Sequence, residues 1–479
     1  MVEIMNLWNR FLKFEHEYNV YEIQVNGIKI WERIRFNIYR QIQSSQGHGQ
    51  AHSTGPTGVN DTVRSLYQWS KNIIRKNPLL SRPCDCVAMG HSRRKKLEDS
   101  NYWDIYVDPF FSSLELDSVY LENRYNGTHL KPAKTNSIRH LDLIDGLAVV
   151  AKKLFTSGGR VDNKQERLLD KINNEICTTF GVEVGVTSEV ERLLSRRATQ
   201  LALFKLLLRR INPQVALVVV SYAPIRQTYI EACQELDIPV IELQHGTIYP
   251  KHAGYSFDDE RTIDCFPDYL FTWGSSWTEN VAVPLPEKRI IPVGYPFLES
   301  RVEKFSNQFD SDQILFLSQG TIGESLSKFA VKLHDDSRID SNIVYKLHPG
   351  EYDRWKSTYP WLAESDVRII DDNNPPLYSL FAESRYQIGV YSTALYEGLA
   401  FDNKTLLYDG TVADIEHRLI DDAVAAKVSS VEDVIEQMAK HSKDFDVRTY
   451  FCPNATQQMC EMIEKVVNQG SCYNPAQCQ

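Results

Sequence analysis

Residues 214–246 read QVALVVVSYAPIRQTYIEACQELDIPVIELQHG: an apolar run of strand length, a proline-started amphipathic helix, then a second apolar run ending in Gln244-His245-Gly246. Short unbroken apolar runs separated by such helices are strands buried on both faces, the pattern of a parallel sheet covered by helices. The long amphipathic segment VERLLSRRATQLALFKLLLRRI (190–211) precedes this unit and stops at the Asn212-Pro213 breaker. Further upstream, CDCVAMG (84–90) reads as the first strand of the same sheet, entered from a helix TVRSLYQWSKNIIRK (62–76), with INNEICTTFG (172–181) as a later piece.

The alternation recurs downstream. After a proline-punctuated passage come the strands QILFLS (313–318), NIVYKL (342–347), VRIIDD (367–372), YQIGVY (386–391) and KTLLYD (404–409). The helices ESLSKFAVKLH (324–334), PLYSLFAES (376–384) and TALYEGLAF (393–401) lie among them. The predicted fold is therefore α/β, with two Rossmann-like doubly wound parallel-sheet domains facing across a cleft and a hinge near 284–310. The boundaries follow: an N-terminal extension and linker over 1–60, a first Rossmann-like domain over 61–300, a second over 301–445, and a C-terminal helix and tail over 446–479. Within the extension, YNVYEIQVNGIKIW (18–31) reads as strand-like and WERIRFNIYRQIQ (31–43) as a helix, while SSQGHGQAHSTGPTGVN (44–60) has too little apolar content to pack. The helix at 456–469 is free to pack on either half.

A chain of 479 residues, 42% hydrophobic and 24% charged, supports two cores. The 53 Lys and Arg against 63 Asp and Glu leave a net charge of -10, which excludes a general electrostatic grip on nucleic acid. Charged residues throughout MVEIMNLWNRFLKFEHEY rule out a secretory apolar core, and no run reaches the roughly 18 to 20 apolar residues of a spanning helix. A cytoplasmic protein, including the inner face of the cell membrane, is the expectation. The nine cysteines contain no CxxC pair and are read as separate reduced thiols.

In open α/β sheets ligands bind beyond the carboxyl ends of the strands, which singles out the residues after each run. Gly320 and Thr321 follow QILFLS in a turn whose backbone amides can approach an anion at a helix start. His348 follows NIVYKL, with Lys346 two residues earlier and Pro349 restricting the backbone, so that the imidazole can donate to a phosphate oxygen. Ser392 and Thr393 open a helix after YQIGVY, and Glu397 lies a turn further on, placed to accept from ribose hydroxyls. In the first half, Gln244 and His245 follow PVIELQ. His91, Arg93 and Arg94 follow CDCVAM, reading either as a solvated turn or as a grip on an anionic acceptor.

The stretches ELQHGTI, HAGYSF, FPDYLFTWG, IPVGYPFLE, KLHPGE and YSTALYEGLAF, in this order, resemble a family of GT-B type glycosyltransferases of capsule and surface-polysaccharide biosynthesis. The His-Pro and Ser-Thr elements are also similar to those of bacterial sialyl- and Kdo-transferases, which use CMP-activated sugars. The resemblance spans roughly residues 80 to 410. It implies a nucleotide in the second half, with His348, Ser392 and Thr393 on phosphate and Glu397 on ribose, and an acceptor in the first half. The chain lacks the D/E-D/E-G element of a typical bacterial sialyltransferase, which argues against CMP-sialic acid as donor. The pairs Asp258-Asp259, Asp335-Asp336, Asp371-Asp372 and Asp421-Asp422 are not a DxD triplet, so no metal ion is implied and the pairs read as solvated turns.

The expectation is a metal-independent glycosyltransferase that needs no cofactor. It moves a sugar from a CMP- or UDP-linked donor to a glycan or lipid-linked acceptor, with His245 or Asp104 as the base. The 190–211 segment, with its six Arg and Lys among leucines, reads first as a buried helix with basic flanks and second as a peripheral contact with an anionic membrane. Three rivals share the plan: a nucleotide-sugar 2-epimerase, a polyol-phosphate transferase, and a non-catalytic protein of polysaccharide export.

Overall fold

The computed structural model describes residues 2–45, 74–154, 161–257, 261–305, 312–409, 418–440 and 445–470. The 46–60 linker, most of the 62–76 helix, Asp258-Asp259, Cys472 and Cys478 lie outside these residues. The chain divides into two compact units. One is Glu3–Pro296 together with the C-terminal helix Ala455–Gly470, and the other is essentially Phe297–Pro453.

The first unit is built on seven parallel strands: β1 (Cys86–Met89), β2 (Ser118–Glu122), β3 (Ile138–His140), β4 (Val215–Val218), β5 (Val240–Leu243), β6 (Tyr269–Thr272) and β7 (Ile290–Pro292). Their spatial order is β7-β6-β5-β4-β1-β2-β3. Order reverses between β1 and β4, which makes their carboxyl ends the switch point where such sheets take ligands. Alternate residues serve opposite faces. Val87, Met89, Ala216 and Val218 join one core with Phe204, Leu207 and Tyr229. Cys86, Ala88, Val215 and Leu217 join the other with Phe110, Met459, Ile463 and Val466. The C-terminal helix thus packs on this first unit.

The helix Val186–Ile211 supplies much of the first face and ends where Asn212 turns left-handed at φ 47° ahead of Pro213. Leu193, Leu194, Leu207 and Leu208 are buried and Leu206 is exposed, while three of its six cations are paired: Arg192 with Glu189, Arg197 with Glu231, and Lys205 with Glu235. The buried face fits the buried-helix reading of this segment, while Arg196, Arg209 and Arg210 stay exposed. Among the described residues no helix is long and apolar enough to cross a membrane.

The first 45 residues are not a separate extension. Helices Val2–Glu17 and Trp31–Ser45 are pinned by Arg35, which is 1% exposed. Its Nε and Nη2 donate to the Glu15 carboxylate at 2.6 and 3.0 Å, and its Nη1 donates to the carbonyls of Ala253 and Ser256 at 2.6 and 2.8 Å. The stretch read as a strand at 18–31 forms only a minimal hairpin, Gln24–Val25 against Ile28–Lys29.

The second unit holds six parallel strands: β8 (Gln313–Leu317), β9 (Asn342–Lys346), β10 (Arg368–Ile370), β11 (Ser384–Gly389), β12 (Lys404–Tyr408) and β13 (Ala425–Val428). The order β10-β9-β8-β11-β12-β13 repeats the plan of the first sheet, with its switch point between β8 and β11. Ile314, Phe316, Tyr345, Tyr386 and Ile388 bury against the Gly323–His334 helix and the 355–362 segment. The two doubly wound parallel sheets expected from the sequence are present.

Candidate functional site

In the first unit, the carboxyl ends of β1, β4 and β5 gather an imidazole and tyrosine cluster. Gly90 follows β1 and must be glycine, because a Cβ there would lie 2.1 Å from the Tyr120 hydroxyl and 2.2 Å from Asp104 Oδ2. That close approach lets Asp104 accept from the His91 amide at 2.7 Å, the Tyr120 hydroxyl at 2.6 Å and the Tyr106 amide at 3.0 Å. Asp104 is 1% exposed, so its carboxylate is a fixed anchor for the β1 turn. His91 Nδ1 accepts the Arg93 amide at 3.1 Å, which assigns its proton to Nε2. Burial, with the charges of Arg226 and Arg93, holds the His91 pKa below the ordinary imidazole value.

His245 sits between two tyrosines. Its Nε2 is 3.0 Å from the Tyr222 hydroxyl and its Nδ1 is 3.3 Å from that of Tyr255. The Tyr255 hydroxyl donates at 2.7 Å to Glu242, a fully buried carboxylate on β5 that also accepts from the Ser221 amide at 3.0 Å and hydroxyl at 2.5 Å. With its own proton on Glu242, Tyr255 can only accept from His245, so the imidazole proton sits on Nδ1 and Nε2 presents a lone pair. Burial, joined by His91, His252 and Arg226, pushes the His245 pKa well down, and burial raises Glu242 to about 6. The result is a neutral imidazole whose Nε2 lone pair faces the Tyr222 hydroxyl and whose Nδ1 side is backed by a buried carboxylate through Tyr255.

The backbone stores strain at the same place. Val220 adopts φ 65° after β4, a left-handed conformation that is rare for a β-branched residue. The turn it makes delivers Ser221 to Glu242 and Tyr222 to His245. Gly254 leaves room for the Tyr222 ring, which a Cβ would approach to 2.4 Å. Phe36, from the N-terminal helix pair, packs on Tyr222 with ring centroids 4.3 Å apart.

Two predicted ligand-binding residues of this unit are committed elsewhere. Arg94 is buried, with Nε on Glu122 at 2.6 Å and Nη1 on Asp108 at 3.0 Å, so it braces the turn rather than reaching an acceptor. Gln244 spends its amide on the Trp273 N–H and the Gly246 carbonyl, both at 2.8 Å, and shapes the His245 turn. Arg93 is exposed.

In the second unit the predicted residues lie at the carboxyl ends of β8, β9 and β11. Glu351 is fully buried and accepts from the Tyr359 hydroxyl at 2.6 Å, the His348 amide at 2.8 Å and the Ser318 hydroxyl at 3.1 Å. It thereby fixes the β8 and β9 turns to each other. Gly323 is required here, since a Cβ would meet the Tyr359 hydroxyl at 2.1 Å and Glu351 Oε1 at 2.4 Å. His348 Nδ1 accepts the Gly350 amide at 3.1 Å, which leaves Nε2 as the donor. Thr321 bonds the Tyr391 hydroxyl, joining the β8 turn to the β11 turn that carries Ser392 and Thr393. Ser392 caps its helix through the Ala394 amide at 3.2 Å. Glu397 is 7% exposed and accepts from Tyr378 at 2.8 Å.

Lys346 is 8% exposed, its ammonium on the Tyr352 hydroxyl and the Asp372 carbonyl, and burial lowers its pKa to about 8. It holds the β10 turn rather than projecting from the sheet. Arg354 went unread in the sequence: it is exposed, and its guanidinium lies 3.1 Å from where a Gly320 Cβ would be, over the β8 turn. Its spacing from His348 carries no motif that could have revealed it. Of the aspartate pairs, Asp371 accepts from the Trp355 indole at 3.0 Å and Asp336 pairs with Arg338 at 2.7 Å.

No family model and no curated protein matches the chain. Solved structures that resemble it include the UDP-GlcNAc 2-epimerase of Methanocaldococcus jannaschii, at a TM-score of 0.49 and 11% identity over 79% of this chain and 99% of that one. The Neisseria meningitidis UDP-GlcNAc 2-epimerase bound to UDP-GlcNAc gives 0.47 and 12% over the same shares. A variant of the wall teichoic acid polymerase TagF gives 0.43 and 14% over 86% of this chain and 99% of that one. Likenesses this remote assign no chemistry and no substrate to the chain.

Proposed function

We propose that the protein is a glycosyltransferase that moves a sugar from a nucleotide-sugar donor to a glycan or lipid-linked acceptor. The observation that carries the reading is the neutral His245, held between Tyr222 and Tyr255 with its Nε2 lone pair on the Tyr222 hydroxyl, at the end of β5 beside the switch point of the first sheet. Transfer to a hydroxyl needs a base for the acceptor proton and donors for the leaving phosphate. His245 is the base. Asp104, already saturated by its hydrogen bonds, positions His91 beside it.

The second unit takes the donor. His348 Nε2–H, the backbone of the Gly320 and Thr321 turn, and the Ser392 and Thr393 hydroxyls receive the phosphates, with Arg354 adding charge, and Glu397 receives the ribose. No step in this scheme calls for a metal ion.

The test is a thermal-shift panel of CMP, UDP, GDP and CDP, followed by transfer assays with the corresponding nucleotide sugars. A nucleotide at 100 times its dissociation constant adds about 2.7 kcal/mol of stability. His348→Ala is expected to abolish the shift. His245→Ala keeps it and loses transfer by about 10²- to 10⁴-fold. Conversion of a UDP-sugar without acceptor would move the assignment to an epimerase, release of a polyol phosphate from a CDP donor to a polyol-phosphate transferase, and no shift with any nucleotide to a non-catalytic role.

A further inference from the structure

Outside both sites, a second cluster of ligating side chains closes the outer edge of the first sheet. Glu122 is the last residue of β2 and His140 the last of β3, while His129 lies in the segment that connects them. Their donor atoms all lie within 4.8 Å of one another. His129 Nδ1 is 2.6 Å from Glu122 Oε2, and His140 Nε2 is 3.6 Å from the same oxygen. Glu122 and His140 are 3% and 2% exposed.

Three further features go beyond a mere gathering of acids and imidazoles. The far nitrogen of His129, Nε2, is 2.7 Å from Asp142 Oδ2, the carboxylate-on-histidine arrangement that orients a metal-ligating imidazole. The second oxygen of Glu122 is held at 2.6 Å by Arg94, which leaves Oε2 to face the histidines. His140 Nδ1 is buried without a hydrogen-bond partner, so the polar atoms of this ring hold it only through the 3.6 Å approach of Nε2 to Glu122.

We propose that Glu122 Oε2, His129 Nδ1 and His140 Nε2 bind a zinc ion, with Asp142 and Arg94 as the supporting shell and water in the fourth position. Two imidazoles and a carboxylate are donors suited to zinc. Binding replaces the proton between His129 and Glu122. One proton leaves His129 Nδ1 for solvent, and Nε2–H stays on Asp142. The donors then settle to roughly 3.3 Å, the edge of a tetrahedron with bonds of about 2.05 Å, so that His129 moves away from Glu122 and His140 moves slightly toward it. The two imidazole rings now lie parallel, with centroids 3.6 Å apart and planes at 7°, so zinc converts a stacked pair into a splayed one. The ion joins the ends of β2 and β3 to their connection. That connection runs beside the Asp104 segment, where the Tyr102 amide donates to the Pro132 carbonyl at 2.7 Å.

The experiment strips the full-length protein with EDTA and titrates it with zinc chloride by calorimetry, and separately with cobalt chloride in the visible. One equivalent of zinc and the d–d bands of a four-coordinate cobalt ion without thiolate charge-transfer bands are expected. His140→Asn is expected to weaken zinc at least 100-fold, and Asp142→Asn roughly 10- to 100-fold as a supporting residue does. Circular dichroism monitors the fold of both. Should either variant unfold, the cobalt spectrum of the wild type alone decides. No uptake by the wild type overturns the proposal. So do equal uptake by His140→Asn and a thiolate-type cobalt spectrum.

Discussion

The two units share one strand plan and hold their carboxyl-end turns by different means. In the second unit, one buried carboxylate, Glu351, collects the Ser318, His348 and Tyr359 donors, all from the turns after β8 and β9 and the short helices that follow. In the first unit the corresponding work is spread over remote partners. Arg35 ties Glu15 to the carbonyls of the loop that carries His252 and Tyr255. Arg94 ties Glu122 to Asp108, and Glu242 ties Ser221 to Tyr255. A site built from local turns tolerates change elsewhere in the chain, whereas one built from distant segments depends on all of them.

The largest effect should come from breaking the most remote of these ties. Arg35 is buried among Trp8, Phe11 and Phe257, with its charge facing Glu15. Arg35→Ala strands the Glu15 carboxylate in the core, at a cost of about 3 to 5 kcal/mol. Hydrogen exchange should report lost protection in residues 3–45 and 247–257 with the 342–359 segment unchanged. Equal loss in both segments would show that the units are not separately braced.

Acid should separate the units next. Burial lowers His252 to about 4, and His91 and His245 shift in the same direction. Between the ordinary imidazole value near 6.5 and the folded value, the unfolded chain binds the proton that the native state refuses, so stability is complete above 6.5 and lost as pH falls. For His252 alone the loss reaches about 3 kcal/mol by pH 4. Urea midpoints measured from pH 7 to 4 should fall steeply for the wild type and less steeply for His252→Gln. A parallel fall in both would assign the acid sensitivity to other groups.

The same contrast explains what the sequence discloses. Five of the six strands of the second sheet are legible as distinct apolar runs, AAKV at its edge being the exception, and Gly320, His348 and Ser392 stand just beyond run ends. In the first sheet, β2, β3, β6 and β7 are short and interrupted by polar residues, as in SVYLE, IRH and IIP, and do not announce themselves as buried strands. His245 was legible from Gln-His-Gly at a run end. Glu242 and Tyr255 lie in the same quoted stretches, ELQHGTI and HAGYSF, whereas Tyr222 and Phe36, which complete its walls, carry no local signature, since what brings them to His245 is the folded sheet alone. The basic turn at 93–96 misled for a related reason: charge is visible in a sequence, but whether Arg94 faces water or Glu122 is not.

The smallest effect tests where strain is kept. Val220 and Val390 each follow the strand that flanks the first strand of its sheet across the switch point, yet only Val220 has positive φ. Val390 is 8% exposed, and Val390→Gly loses its burial and adds backbone freedom to the unfolded chain, about 3 kcal/mol together. Val220→Gly pays similar but smaller costs, because Val220 is only half-buried, and recovers the roughly 1 to 2 kcal/mol that a left-handed conformation imposes on a side chain. Its net change should lie within about 1 kcal/mol of zero. Donor binding in the second unit should be untouched, while transfer falls as Tyr222 loses its fixed approach to His245. If Val220→Gly destabilised the protein as much as Val390→Gly, the left-handed turn would be costing nothing, and the strain would have no part in holding the His245 cluster.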